Sequence, residues 1–315
     1  MKTIAINNYG PASNFQLLEL PQPHPTDQQV LVAVHAFSVN PMDVAGRAGR
    51  LGAPFANQWT FPLVLGWDFA GTIVSVGDAV TDFKVGDAVF GAVPLTHPGT
   101  AGTYAEYVVT TTEQLAPLPT GLSFDLATTL PVAGMTAYDA LVHRLDLQSG
   151  ERLLIQGGAG GVGLFAVQLA KFLGAYVATT ASANHQTLLT DLGADQVIDY
   201  HHTAPADVCH DFDAVFDTVG DINGGLATLK ATGRLITIAA QPTAEQQRAP
   251  HQRVAFQSTR GNRSDLKTLA KLVVAGTLQP QLTVLRPFSV ANVVAAHQTI
   301  ESHHTTGKIV IHVTD

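Results

Sequence analysis

Short hydrophobic segments separated by turn-forming residues make up the first part of the chain. Residues 30–36 are apolar and β-branched, residues 73–76 end at Gly77-Asp78, residues 85–90 follow shortly, and glycine and proline punctuate the region. Runs of this length between turn-forming residues are typical of β-strands. We therefore predict that the first 120 residues form a β-rich region.

The pattern changes after residue 123, where apolar runs alternate with segments of helical periodicity. A helix is predicted at residues 162–173, and strands are predicted at residues 152–156, 176–180, 196–198, 214–216, 235–238 and 254–257. Strands that alternate with helices predict a parallel sheet covered on both faces. The fold class is therefore α/β.

The last part of the chain carries two more helical patterns and one strand. Ser264 and Ser289 are predicted N-caps of the two helices, and residues 308–311 form a strand that returns to the first domain. We predict one domain from residues 1–123 and 259–315, and a second domain from residues 124–258.

Composition narrows the class of protein. A length of 315 residues suits two domains, and a net charge of -8 without any basic run argues against nucleic acid as a main partner. No stretch approaches the roughly 20 apolar residues of a membrane span. The N-terminus lacks the apolar core of a secretion signal, and the single Cys209 excludes an internal disulfide. We predict a cytoplasmic protein.

A glycine-rich loop follows the strand at residues 152–156. Gly158, Gly160 and Gly163 have the G-x-G-x-x-G spacing, in which one glycine permits a tight turn, the next lets the backbone approach a pyrophosphate, and the third permits close helix packing. The helix start also offers N–H groups to phosphate. A purely structural turn is the alternative, but the surrounding strands and helix favour a dinucleotide site.

The end of the second strand bears on the choice of nucleotide. Binders of NAD usually place Asp or Glu there to hold the ribose 2′-hydroxyl. Residues 180–185 contain no carboxylate, which favours NADPH, although no Lys or Arg is present to pair with a 2′-phosphate. NADH remains possible.

Besides the glycine loop, an ordered set of motifs covers nearly the whole chain: Val39-Asn40-Pro41-Met42-Asp43, Gly66-Trp67-Asp68-Phe69-Ala70-Gly71, Val85-Gly86-Asp87, Gly102-Thr103-Tyr104-Ala105-Glu106-Tyr107, Leu130-Pro131-Val132-Ala133-Gly134, Leu192-Gly193-Ala194-Asp195 and Gly307-Lys308-Ile309-Val310. In this order the motifs resemble the zinc-free quinone oxidoreductase (zeta-crystallin-like) branch of the medium-chain dehydrogenases/reductases.

The resemblance implies a GroES-like catalytic domain and a Rossmann domain, with the substrate between them. It also implies which residues contact the cofactor. Thr136 lies on the nicotinamide side. The pyrophosphate is cradled by Ala159, Gly160, Gly161 and Val162. The 2′ position of the adenosine is surrounded by Ser182, Asn184, His185 and Tyr200. The nicotinamide half is lined by Thr218, Val219, Ile238, Ala239 and Ala240. Many relatives have a lysine where this chain has Asn184.

The same resemblance implies that no metal takes part. Zinc-dependent relatives need a cysteine near Asn40 and a histidine where this chain has Trp67, and an indole cannot bind zinc. The histidine pairs at 201–202 and 303–304 are interpreted as surface residues. Without a Lewis acid, reduction of a quinone or an activated C=C bond remains feasible, because such a substrate delocalises the incoming charge.

Asn40, Asp43 and Trp67 are the candidate catalytic residues. Asn40 is interpreted either as a hydrogen-bond partner of the nicotinamide ribose or substrate, or as a turn residue before Pro41. Asp43 has a structural alternative. Trp67 either forms an apolar wall for a flat substrate or fills the core. No side chain qualifies as a general acid, so water is the expected proton source.

The leading hypothesis is an NADPH-dependent reductase of quinones or α,β-unsaturated carbonyls. An enoyl-thioester reductase is a second hypothesis, but it needs a basic groove, and basic residues near the predicted cleft are few: Arg47, Arg50, Arg260 and Arg263. A non-catalytic, NADPH-binding sensor or structural protein is a third. A homodimer is expected by family analogy, through the apolar strand at residues 254–257.

Overall fold

The computed structural model describes residues 1–52, 59–247, 252–259, 261–285 and 287–313. Arg260, one of the basic residues counted near the predicted cleft, lies outside the described residues, as do residues 53–58. The chain forms two compact units, the first from Met1–Val132, Arg260–Val274 and Leu282–Asp315, the second from Ala133–Thr259 and Ala275–Gln281.

Two sheets make up most of the first unit. The smaller sheet has three strands, β1 (Lys2–Ile6), β2 (Gln16–Glu19) and β4 (Leu63–Val64), with β1 in the middle. The larger sheet has seven, namely β3 (Gln29–Val39), β5 (Asp68–Val76), β6 (Ala88–Ala92), β7 (Tyr107–Thr111), β8 (Leu115–Pro117), β15 (Leu282–Leu285) and β16 (Lys308–His312). Their order is β15-β16-β3-β5-β6-β8, and β7 also pairs with β3.

Short helices cover the sheets of the first unit. They are α1 (Pro41–Arg47), α2 (Phe124–Ala127), α9 (Arg263–Val274) and α10 (Val290–Glu301). The core includes Phe37, Trp67, Phe69 and Tyr104, each at most 1% exposed. The predicted final strand is confirmed, because β16 pairs with β3 in antiparallel register.

One parallel sheet organises the second unit. Its strands are β9 (Arg152–Gln156), β10 (Tyr176–Ala181), β11 (Gln196–Asp199), β12 (Phe212–Asp217), β13 (Leu229–Thr237) and β14 (Arg253–Phe256). The order β11-β10-β9-β12-β13-β14, counted from β9, is the 3-2-1-4-5-6 order of a doubly wound dinucleotide fold. The predicted α/β class and parallel sheet are therefore confirmed.

Helices flank the sheet of the second unit. They are α3 (Met135–Tyr138), α4 (Gly161–Phe172), α5 (Gln186–Asp191), α6 (Pro205–Val208), α7 (Ile222–Leu226) and α8 (Ala244–Gln247). Within the described ranges, no helix has the length and hydrophobicity that crossing a membrane requires.

Some details of the prediction need correction. Ser289 caps α10 as predicted, since its Oγ accepts the Asn292 N–H at 3.3 Å. Ser264 is not the cap of α9, because the helix starts at Arg263, two residues earlier than a cap at Ser264 predicts, and Asn262 Oδ1 accepts the Asp265 N–H at 2.9 Å. Asparagine is about as favourable as serine at the N-cap position of a helix.

In the structure, the boundaries between the first and second units that correspond to the predicted ones lie at residues 132/133 and 259/260. The sequence predicts them at 123/124 and 258/259. The predicted domains stay a prediction at this level of detail. Ala275–Gln281 packs with the second unit rather than the first, because the side chain of Gln168 on α4 binds both backbone groups of Gln279, with Oε1 accepting its N–H at 2.7 Å.

Candidate nucleotide site and buried charge cluster

The carboxyl ends of all six strands of the second unit share one edge of its sheet, where ligands bind in doubly wound folds. The resemblance assigns residues to the cofactor directly after five of these ends. They are Tyr200 after β11, Ser182 after β10, residues 158–163 after β9, Thr218 and Val219 after β12, and residues 238–240 after β13. The topology thus gathers nearly the whole predicted set at one edge.

The glycine loop between β9 and α4 fits its predicted geometry, with one correction. Gly157 makes the turn, since its φ is +88° and Thr180 Oγ1 accepts its N–H at 2.9 Å. Gly158 packs instead against Thr179, whose Oγ1 would lie 2.1 Å from an added Cβ. A Cβ on Gly163 would lie 2.2 Å from Gly157 O, so this glycine allows the helix to approach the loop.

Gly160 is the exception within the loop. An added Cβ would meet only Gly157 O, at 3.6 Å, and the backbone angles of φ −71° and ψ 170° suit any residue. The fold therefore does not require glycine there. Gly160 is the second glycine of the motif, the one whose bare backbone approaches a pyrophosphate. The open space beside it is what a nucleotide site at this loop needs.

The start of α4 supplies the hydrogen-bond donors. Gly160 is the N-cap residue and has no side chain, and the first helical hydrogen bond runs from Leu164 N–H to Gly160 O at 3.0 Å. The N–H groups of Gly161, Val162 and Gly163 consequently have no acceptor inside the helix. Together with the positive end of the helix dipole, they suit a diphosphate.

Ala159 and Val162 are the two residues of the predicted pyrophosphate cradle that are not glycine. Ala159 lies in the turn before α4, and Val162 lies in the first turn of the helix. Both are partly exposed, whereas the helix is buried from Gly163 to Ala170. The structure therefore places both residues at the loop, and their contact with a pyrophosphate stays a prediction.

Sequence reasoning missed Asp217, which organises the ends of β12 and β13. This carboxylate is fully buried, and its Oδ1 accepts the N–H groups of Val219 and Gly220 at 2.9 and 2.8 Å. Its Oδ2 accepts the Thr237 hydroxyl at 2.7 Å. An aspartate that ends an apolar strand was the available signal. Asp217 thus fixes the loop that carries Thr218 and Val219.

Thr136 lies on α3 of the second unit, and its backbone carbonyl is held by Gln257, the residue that directly follows β14. Gln257 Nε2 donates to Thr136 O at 2.9 Å, and the Gln257 side chain is 3% exposed. The sequence pattern assigns Gln257 to a strand but gives it no role. In the structure it ties the predicted nicotinamide residue Thr136 to the sixth strand.

The predicted adenosine residues lie at the ends of two neighbouring strands. Ala181 and Asp199 are register partners in β10 and β11, so Ser182 and Tyr200 follow adjacent strand ends. Ser182 Oγ lies 2.9 Å from His185 Nδ1, and Tyr200 is 50% exposed. Asn184 is exposed on the short helical turn Ala183–His185.

In the first unit, Asn40 belongs to a buried charge cluster, which we define as Ser38, Asn40, Asp68 and Lys308. Asp68 Oδ2 accepts the Ser38 hydroxyl at 2.5 Å and Asn40 Nδ2 at 2.8 Å, and Lys308 Nζ lies 3.4 Å away. Lys308 also donates to Asn40 Oδ1. Asp68 and Lys308 are 0% and 4% exposed. Sequence reasoning assigned neither of them a role.

This cluster changes the interpretation of Asn40. Both ends of its amide are engaged within the first unit, and the residue is 3% exposed. The residue is also not a simple turn before Pro41, because it is the N-cap of α1 and its N–H donates to Asp43 Oδ2 at 2.5 Å. The geometry favours a positioning role for Asn40.

Asp43 is fully buried below the first turn of α1. Burial raises its pKa to about 7 against the opposing hydrogen bond from Asn40 N–H, and the charge of Asp68 adds to the rise. Burial likewise lowers the pKa of Lys308, an effect that Asp68 and Asp43 oppose. The geometry therefore favours the structural interpretation of Asp43.

Trp67 is 1% exposed and lies in the core, where its Nε1 donates to Leu95 O at 2.9 Å. The structure favours the core interpretation over a substrate wall. His97 packs edge-on against Trp67 with ring centroids 5.2 Å apart, and its Nδ1 lies 2.7 Å from Pro98 O. Burial lowers the pKa of His97 to about 4, against the opposing hydrogen bond to Pro98.

His97 gives the stability of the first unit a defined pH dependence. The unfolded chain binds a proton at this imidazole below pH 6.5, whereas the folded chain does not until about pH 4. The free energy of unfolding therefore falls with acidification across this window, by about 1.4 kcal/mol per pH unit. Compared with wild type, His97→Gln will show a shallower loss of stability in denaturant titrations between pH 7.5 and 5. His304→Gln, on the exposed pair, is the control and should track wild type.

The predicted surface histidines His201, His202, His303 and His304 are all exposed, which confirms that interpretation. Among the residues that the structure describes, no group of three or more His, Cys, Asp or Glu side chains is arranged to hold a metal ion.

Comparisons with known proteins agree with this architecture. The family model described as "Alcohol dehydrogenase GroES-like domain" matches residues 26–120, and "Zinc-binding dehydrogenase" matches residues 192–311. The first match confirms the predicted GroES-like domain.

Individual relatives match along the whole chain. A 2-methylene-furan-3-one reductase of Solanum lycopersicum is 35% identical, and a chloroplastic NADPH-dependent alkenal/one oxidoreductase of Arabidopsis thaliana is 33% identical. Each alignment covers 99% of this chain and 79% of the relative. The solved quinone oxidoreductase of Coxiella burnetii is 33% identical, superposes with a TM-score of 0.92 and is covered over 99% of both chains.

Proposed function

Because this chain belongs to the zinc-free quinone oxidoreductase branch of the medium-chain dehydrogenase/reductase superfamily, we propose that it is an NADPH-dependent reductase that transfers a hydride to a quinone or an α,β-unsaturated carbonyl without a metal. One observation carries the proposal. The loop before α4 leaves open space beside Gly160, where the fold itself does not require a glycine.

The second unit holds the cofactor in this proposal. The N–H groups of residues 161–163 bind the diphosphate, and Ser182, His185 and Tyr200 contact the adenosine ribose. Thr218, Val219 and residues 238–240 line the nicotinamide half, positioned by Asp217, while Gln257 holds Thr136 in place. NADH is expected to bind more weakly at the same place.

In this proposal the cofactor and the protein have different roles in the reaction. A bound reduced nicotinamide supplies the hydride, and the protein binds it, orients it and leaves the acceptor to delocalise the incoming charge. Asn40 acts as a positioning residue through the buried charge cluster, and Asp43 has a structural role, accepting the Asn40 N–H at the start of α1. The proton comes from water.

The names of the relatives support this substrate class. One is named a 2-methylene-furan-3-one reductase, a second an NADPH-dependent alkenal/one oxidoreductase, and a third a quinone oxidoreductase. An enoyl-thioester substrate has less support, because Arg47 and Arg263 are engaged by Glu301 and Asp82 rather than free to bind a CoA phosphate.

Turnover tests the proposal directly. The purified protein should oxidise NADPH with 1,4-benzoquinone or but-3-en-2-one and should be inactive or much slower with crotonyl-CoA. Faster turnover of the thioester would favour an enoyl-thioester reductase. Saturable NADPH binding without turnover of any acceptor would favour the sensor hypothesis, and absence of binding would overturn all three.

We also propose a cytoplasmic homodimer, joined through β14. This strand is the last of the six-stranded sheet, and Phe256 on it is 37% exposed. An exposed apolar edge invites pairing with another strand. Sedimentation should give a dimer for wild type and a monomer for Phe256→Asp, while Phe172→Asp on α4, also exposed at 57%, should remain dimeric.

A further inference from the structure

We propose that this chain recognises the 2′-phosphate of NADPH with histidine rather than with lysine or arginine, so that its preference for NADPH over NADH increases as the pH falls. The inference rests on the proposed function, because it concerns how the same cofactor is chosen. The residues concerned are His185 and His201.

The end of β10 is the position that selects between the two nucleotides in this fold. Residues 182–185 there read Ser, Ala, Asn and His, so nothing acidic repels a phosphate. The Ser182 hydroxyl lies 2.9 Å from His185 Nδ1 and fixes the imidazole ring beside the strand end. His185 is thus held at the position where a cationic side chain would be needed.

The end of the neighbouring strand adds a second imidazole. Tyr200 directly follows β11, and its ring lies 4.3 Å from that of His201, both exposed. Because β10 and β11 are parallel and in register at Ala181 and Asp199, the two histidines follow adjacent ends of the same edge.

The lysines and arginines that the structure describes in the second unit either lie at the opposite edge of the sheet or are paired with a carboxylate. Arg152 and Arg253 begin β9 and β14, and Arg234 is the register partner of Arg253. Lys171 pairs with Asp195, which precedes β11, and Lys230 pairs with Asp213 near the start of β12. These five lie toward the amino ends of the strands, opposite the nucleotide edge, and Arg144 pairs with Asp139. Histidine is the cationic residue type that the described part of this edge provides.

An imidazole changes charge between about pH 5 and 8. Its protonated form attracts a phosphate dianion, and each exposed ion pair strengthens binding by up to about 1 kcal/mol, roughly fivefold. Other titratable groups on the adjoining segments are Asp191 on α5 and, at the end of β11, Asp199, Tyr200 and His202. Asp199 Oδ1 accepts the backbone N–H of His201 at 3.1 Å, and Asp199 Oδ2 lies 3.8 Å from His202 Nε2, with which it forms an ion pair only when that imidazole is protonated.

The test compares dissociation constants of NADPH and NADH, measured through the fluorescence of the bound reduced nicotinamide at pH 8.5 and 6.5. Over this range the phosphate stays largely dianionic, since its second pKa is about 6. The wild-type ratio of NADPH to NADH affinity should rise about threefold to tenfold toward pH 6.5. Calorimetry in two buffers at pH 7 should show proton uptake with NADPH exceeding that with NADH.

Three variants sharpen the comparison. His185→Asn and His201→Asn should each reduce the rise, and the double variant should abolish it. Asn184→Lys supplies a permanent charge, so it should raise the ratio already at pH 8.5 and flatten its dependence on pH. His210→Asn is the matched control, because His210 is exposed just before β12, at the opposite edge of the sheet.

The outcomes separate the two proposals. If neither nucleotide binds, the proposed function fails. If both bind with a ratio that does not change with pH, or if the double variant keeps the full rise, the histidine inference alone is overturned.

Discussion

Gly160→Ala will fold as wild type does and will bind NADPH at least about tenfold more weakly, a loss of about 1.4 kcal/mol. The new Cβ meets only Gly157 O, at 3.6 Å, in a backbone conformation that alanine accepts. Replacing a glycine at such a position usually stabilises the fold slightly. The methyl group occupies the space that a diphosphate needs beside the start of α4. Thermal unfolding and fluorescence titration measure the two effects separately.

Two other glycines provide the comparison. Gly163→Ala places a Cβ 2.2 Å from Gly157 O and should damage the loop itself, lowering the melting temperature together with cofactor affinity. Gly261→Ala lies in the first unit, where the nearest atom is 3.4 Å away, and should change neither. Unchanged NADPH affinity in Gly160→Ala would mean that the glycine motif is only a structural turn.

Lys308→Ala will lower the free energy of unfolding of the first unit by about 3–5 kcal/mol, because it leaves the Asp68 carboxylate buried without its cation. Asp68 is 0% exposed, and its remaining partners, Ser38, Asn40 and the Val132 N–H, are neutral donors. Both tryptophans, Trp59 and Trp67, belong to this unit, so intrinsic fluorescence during urea unfolding reports on it.

A double-mutant cycle separates the ion pair from simple loss of packing. The cycle uses the single variants Asp68→Asn and Lys308→Met and the double variant Asp68→Asn/Lys308→Met. The double variant carries no buried charge at either position and should be clearly more stable than the sum of the two single losses predicts. Lys267→Ala, an exposed lysine on α9, should cost less than about 0.5 kcal/mol. Additive losses in the cycle would show that the lysine and the aspartate do not act as a pair.

The sequence was most informative where local chemistry decides the structure. The periodicity of apolar runs predicted the six parallel strands, and the glycine spacing predicted the loop before α4, since both depend on residues close together in the chain. The resemblance placed the adenosine residues at two strand ends that the structure brings side by side.

The sequence was least informative where distant residues meet. Asn40 and Lys308 are 268 positions apart, so nothing local indicated that their side chains are in contact. Asp217 and Gln257 are ordinary polar residues in the sequence and acquire roles only through the order of the strands. Trp67, considered as a substrate wall, lies in the hydrophobic core of the first unit, where its Nε1 donates to the Leu95 carbonyl. Burial of this kind depends on tertiary packing rather than on residue type.

The pairing of β16 with β3 sets a limit on when the first unit can mature during synthesis. At about 5–20 residues per second, the ribosome needs roughly 13 to 54 s to pass from Asn40 to Lys308. Throughout that interval β16 has not been synthesised. Residues 36–39 of β3 therefore lack their β16 partner, and the Asp68 carboxylate lacks the Lys308 ammonium group. A nascent chain of this kind should depend on chaperone protection, and slowed translation should increase its aggregation.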